Sequence, residues 1–190
     1  MKKIIWLLVG VACLIWSTRI YQVNQEKREV ELYHMGEEIP CGQLIVTATE
    51  ACLYDSTEFE ERFGVATETI HAMETDEEAY RIIGVCLRLE NRGDTLITWE
   101  EIGGEIGEGF EAVIWRNGID PYLGSAVSPY EEGGLEPDTT KEIWYMTTVN
   151  RRAFKEKSWK NHEEQTFYFV ISLYPDKTWI ELDVRKEYAK

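Results

Sequence analysis

Apolar and polar positions alternate in short runs along most of the chain, the period of half-buried strands rather than of amphipathic helices. Gln43 to Tyr54 (QLIVTATEACLY) is rich in β-branched residues, with Leu44, Val46 and Ala48 on one face. Asp55-Ser56-Thr57-Glu58 then has the spacing of a capping box, followed by Phe59, Phe63 and a terminating Gly64, which predicts a short helix over 55–63. The clearest strand is Tyr80 to Glu90 (YRIIGVCLRLE), where Ile83, Val85, Leu87 and Leu89 share a face. Asn91-Arg92-Gly93-Asp94 turns it back into a strand over Thr95 to Trp99.

Further along, Gly109 to Trp115 and a strand starting at Ile119 flank Asn117-Gly118, a strong hairpin signal. Leu135 to Thr140 (LEPDTT) reads as a turn feeding a strand over Lys141 to Val149. Arg151 to His162 is polar with helical character, and Thr166 to Tyr174 and Thr178 to Val184 close the chain as a hairpin around Pro175-Asp176-Lys177. Short strands joined by short turns predict a mainly all-β fold, an immunoglobulin-like antiparallel β-sandwich carrying one or two short helices.

The N-terminus breaks this pattern. Ile4 to Thr18 carries no charge, but at about 1.5 Å per residue it falls short of a hydrocarbon core of about 30 Å. If Arg19 snorkels, the apolar stretch extends to Val23, with Trp6, Trp16 and Tyr21 placed as interfacial aromatics. Three fates are open: an uncleaved signal anchor, a cleaved signal peptide, and a lipoprotein with its lipid on Cys13. The signal anchor is the reading preferred, since Ile15-Trp16-Ser17-Thr18 offers no small-x-small cleavage site and the apolar run continues past Cys13. The organisation expected is therefore an anchor over 1–23, a polar stalk over 24–34 and a sandwich domain over 35–190, single-pass in the cell membrane with the domain outside.

Acids outnumber bases 35 to 20, giving a formal net charge of -15. Such a surface repels phosphate backbones and anionic headgroups, so nucleic acid is not an expected partner and membrane contact is expected through the N-terminal segment alone.

The order of motifs resembles the telokin-like, immunoglobulin-type extracellular domains of Gram-positive bacteria, which sit behind an N-terminal anchor or lipid signal. The resemblance runs over about residues 35–185 and rests on turn chemistry. Asn91-Arg92-Gly93-Asp94 matches an x-N-x-G-D turn, and Leu135-Glu136-Pro137-Asp138 matches a leucine-x-proline-glycine turn with Asp138 at the glycine position. It implies a fold and an extracellular location and carries over no site residues.

Candidate chemistry is sparse. Cys41, Cys52 and Cys86 form an odd set outside the N-terminal segment; Cys52 and Cys86 could pair between sheets, but free buried thiols are the default. His34, His71 and His162 lack partners at ligand spacing and read as solvated loop residues. Gly124-Ser125-Ala126 lacks the second glycine of a nucleophile elbow. Glu100, Glu101, Glu105, Glu108 and Glu111, strung through Gly103, Gly104, Gly107 and Gly109, could bind calcium or perform acid–base work, though the spacing matches no calcium loop. Arg92-Gly93-Asp94 spells an adhesive tripeptide that a hairpin turn would display, but the glycine and aspartate already have turn roles. Trp115 and Trp144 read as core, and Trp159 is the best exposed candidate for stacking on a sugar or anchoring a partner, although packing of its helix onto the sheet is the preferred reading. The function expected is a non-catalytic binding or structural module of the cell envelope, needing no cofactor, whose partner is an envelope protein or glycan. The alternatives are an envelope hydrolase using Glu100–Glu111, or a calcium-stabilised module.

Overall fold

A computed structural model describes Gly10 and residues 13–19, 30–66, 80–129, 132–173 and 176–184. Residues 13–19 are helical. Among the described residues no helix is long and apolar enough to cross a membrane. The span expected over 1–23, most of the stalk, His71 and the Pro175 turn lie outside the described residues.

The strands form two sheets facing each other. One contains β1 (Val30–His34), β6 (Gly109–Ala112), β7 (Trp115–Asn117), β10 (Phe167–Ser172) and β11 (Lys177–Leu182), ordered β1-β11-β10-β6-β7. The other is ordered β2-β3-β4-β9, from β2 (Ile39–Cys41), β3 (Leu44–Tyr54), β4 (Tyr80–Asn91) and β9 (Thr140–Asn150). A two-stranded patch pairs β5 (Ile97–Thr98) with β8 (Gly134–Leu135).

Between the large sheets Val46, Val85, Leu87 and Ile143 meet Phe110, Phe167, Phe169 and Ile180 in one core. Tyr145 on β9 and Phe169 on β10 join the two layers, with ring centroids 5.5 Å apart. The long strands appear where alternation predicted them, because each can send every second side chain into this core.

The four-stranded sheet also buries its other face. Helix α1 (Ser56–Phe63) and helix α3 (Pro121–Val127) lie against it, enclosing Cys52, Tyr54, Ile82 and Met146 with Phe59 and Leu123. Double-sided burial explains why β4 is apolar almost throughout rather than cleanly alternating. Helix α1 forms as expected: Asp55 accepts from the Glu58 N–H, the Glu58 side chain reaches back to the Asp55 N–H, and Gly64 ends the helix with φ 68°.

Several boundaries differ from the pattern. Residues 30–34, expected in the stalk, form β1 and pair with β11 in parallel, so the sandwich is not wholly antiparallel. Tyr33 explains the gain, since it reaches the core from this edge. The β6–β7 turn falls at Val113-Ile114 rather than Asn117-Gly118, because Ala112 pairs with Trp115 and Glu111 with Arg116. That register sends Trp115 inward against Phe154 and Phe167.

The strand expected from Ile119 gives way to helix, and the one expected over Thr95 to Trp99 is cut to Ile97–Thr98. Thr98 caps α2 (Trp99–Glu105), and Asp120 caps α3, which has Pro121 in its first turn. Arg151 to His162 resolves into a 3₁₀ turn at Arg151–Ala153, helix α4 (Glu156–Lys160) and the start of a second 3₁₀ turn. The segment from β7 to α3 also blocks the free edge of β9: Asn117 donates to the Thr148 carbonyl, the Asp120 N–H to the Met146 carbonyl, and the Trp144 N–H to Ser128 Oγ.

Candidate functional site

The acidic stretch is taken apart by the fold. Glu101 occupies the third position of α2 and receives the Thr98 N–H and hydroxyl, each at 2.8 Å. These bonds, the backbone one foremost, hold its carboxyl below the usual range. Glu111 lies on β6, 2.7 Å from Lys177 and 3.3 Å from Arg116. Glu100 and Glu108 are exposed. Glu105, at the end of α2, reaches a concave surface that Glu101 also rims.

That surface is built from the β2–β3 turn, the loop after β4, and α2. Gly42, with φ 60°, makes the turn and brings Cys41 and Leu44 beside α2. A hollow of about 270 Å³ results, floored by Leu44 and Ile102, walled by Leu96 and Ile97 and rimmed by Gln43, Thr95, Glu101 and Glu105. Leu96 remains 41% exposed although it is a large apolar side chain. A second hollow of about 400 Å³ continues on the other side of Cys41 and Glu105, bounded by Glu31, Ile39, Pro40, Ile171 and Thr178. The two make one groove along the β2 side of the sandwich.

Cys41, at the junction, has its pKa pushed up to about 11 by burial first and the Glu105 charge second. It is a neutral thiol at physiological pH.

The turns of the sequence motifs support this region from behind. Asn91 is fully buried: its Nδ2 donates to the carbonyls of Thr95 and Leu135, and its Oδ1 accepts from the Gly93 N–H. Its backbone N–H donates to the Thr139 carbonyl and its carbonyl accepts from the Asp138 N–H. One residue thus ties the 91–95 turn to the 135–139 turn, where Asp138 takes φ 55°. Thr95, Leu96 and Ile97 follow directly, so Asn91 positions the outer wall of the groove.

Other sequence candidates end elsewhere. Arg92 is held by Glu90 at 2.8 Å and Glu38 at 3.1 Å, so the Arg92-Gly93-Asp94 turn has an engaged cation. All four cysteines are free thiols, and Cys52 and Cys86 lie on adjacent strands of one sheet rather than between sheets. His162 is not a solvated loop residue: it is 6% exposed, stacks on Trp159 with centroids 4.2 Å apart, and donates from Nδ1 to the Trp159 carbonyl. Trp159 is 7% exposed and so is no external platform; it packs on Phe154 instead. The Ser125 hydroxyl donates to the Tyr122 carbonyl within α3. Among the described residues no three His, Cys, Asp or Glu side chains converge as a metal site.

The sequence pattern passed over the α2 end of the groove. Its signal was present, since Thr98-Trp99-Glu100-Glu101 repeats the S/T-x-x-E spacing that was legible at Asp55, but the glycines of 103–104 masked it.

No protein-family model matches the sequence, and no curated protein does. In structure the chain is similar to a conserved hypothetical protein from Bacillus anthracis, at 13% identity and a TM-score of 0.52, covering 77% of this chain and 94% of that one. It is also similar to an uncharacterized β-sandwich protein from Clostridium difficile, at 8% identity and a TM-score of 0.50, covering 84% of this chain and 98% of that one. At these identities the likeness concerns the fold alone: the chain is a β-sandwich.

Proposed function

We propose that this protein is a non-catalytic binding module held at the outer face of the cell membrane by its N-terminal segment, of the telokin-like immunoglobulin type. The observation that carries the reading is the groove beside Cys41 and Glu105, which has an apolar floor, an open mouth and a neutral thiol. Of the acidic stretch, Glu101 is engaged in a helix cap and Glu111 in ion pairs on another face. The linking of the Asn91 and Leu135 turns supports the kinship, and the charge-free run from Ile4 to Thr18 supports the tether.

Protease shaving of intact cells that carry the full chain with a C-terminal tag tests the location. Loss of the tag while a cytoplasmic marker survives is the expected outcome; a protected tag overturns the reading. Photo-crosslinking from position 96 tests the groove, and adducts to an envelope component that are absent when the crosslinker sits on exposed Tyr122 are expected.

A further inference from the structure

Glu105 stands where the two hollows of the groove meet. Its carboxylate oxygens lie 3.7 and 3.9 Å from where a Cβ on Gly42 would sit, so the side chain folds across the β2–β3 turn. Among the described residues no lysine or arginine pairs with it. The ionisable side chains around the first hollow are Glu101, Glu105 and the Cys41 thiol; the second adds Glu31, and neither is lined by a lysine, arginine or histidine. The Glu101 carboxylate is committed to Thr98, which leaves Glu105 as the acceptor facing the opening.

Shape narrows the occupant. At about 270 Å³ the first hollow is smaller than the usual small-molecule site of about 300–1,000 Å³, and suits one long side chain. The second hollow continues the path past Glu105, which suits an extended segment rather than a compact ligand. An apolar wall ending in an anion matches a side chain with an aliphatic stem and a cationic head. The net charge of -15 draws basic partners toward the surface.

We infer that the groove docks an extended segment of a basic partner protein, with a lysine or arginine stem lying on Leu96 and Ile97 and its cation on Glu105. This rests on the reading of the domain as a binding module and gives the chemistry of what it binds.

The test uses the full-length chain in detergent, immobilised, with capped peptides of alternating lysine and leucine as probe. The control peptide replaces lysine with norleucine, which keeps the stem and removes the cation. The lysine peptide should bind about tenfold more tightly than the control, and Glu105→Gln should remove most of that difference. Added salt should weaken the lysine peptide and leave the control unchanged. Equal binding of the two peptides, or full binding by Glu105→Gln, overturns the inference, as does binding of neither or retention of envelope glycan in their place.

Thr95→Arg, with the crosslinker kept at position 96, separates this failure from that of the parent reading, because it places a cation of the chain's own at the rim of the groove. If that variant loses the cellular crosslink while neither peptide binds the parent, the module reading stands and the basic partner falls. If it keeps the crosslink as well, both fall.

Discussion

The side-chain amide of Asn91 donates to the backbone carbonyl of Leu135 at 2.9 Å, across a sequence separation of 44 residues. A buried amide that meets all of these groups is costly to replace, because its partners have no water to turn to. Asn91→Ala should destabilise the domain by about 3 kcal/mol, read from urea unfolding. Asn91→Asp should cost at least as much at neutral pH, since a carboxylate cannot donate to the Thr95 and Leu135 carbonyls. Arg92→Ala, next along the chain but exposed, should stay close to the parent.

The β6–β7 register gives a paired test with glycines. A Cβ on Gly109 would collide with the Asn117 carbonyl oxygen, and φ there is 136°. Gly109→Ala should therefore cost about 2 kcal/mol or more. Gly118 has open space around it, so Gly118→Ala should change stability by less than about 1 kcal/mol. A hairpin turning at Asn117-Gly118 would reverse this order, and thermal melts of the two variants distinguish the registers.

That misplaced turn shows where local pattern stopped being informative. The strands over 44–54, 80–91 and 140–150 and helix α1 were legible because alternation, capping and a terminal glycine all agreed locally. Asn117-Gly118 has the chemistry of a tight turn, but the demand of Trp115 for a place beside Phe167 sets the turn four residues earlier. Helix α3 was hidden for a related reason: Ile119 and Leu123 look like strand residues until the outer face of the four-stranded sheet is seen to need a cover. The acidic residues of 100–111 were visible as a cluster, but their separation into cap, ion pair and rim depends on long-range pairing that no local window contains.

Thr98 and Glu101 cap each other, and the cap has a pH signature. The Thr98 bonds lower the Glu101 carboxyl, so its stabilisation is complete above the ordinary carboxylate range and is lost as pH falls through the lowered value. The melting temperature of Glu101→Gln should lie below the parent at pH about 7 and converge on it at pH about 2–3. Thr98→Ala should cost about 1 kcal/mol.

The four thiols should react in a fixed order. Cys41 should be alkylated first, slowly and with a rate that climbs toward pH about 11, buried Cys52 and Cys86 only on unfolding, and Cys13 only where detergent or membrane no longer covers the proposed anchor. Removing the charge with Glu105→Gln should speed Cys41 alkylation at a given pH, because that charge raises the thiol pKa. Mass spectrometry of peptides from timed iodoacetamide quenches measures all four rates.

The parallel pairing of β1 with β11 has a mechanical consequence. The chain enters at Val30 beside Lys177, and the two strands run side by side to His34 and Glu181. A domain suspended from its N-terminus and pulled along the strand axis loads that pair in shear, so its hydrogen bonds share the force instead of opening one after another. Under the proposed tethering, the strand at the N-terminal entry to the sandwich is therefore oriented to resist being peeled away.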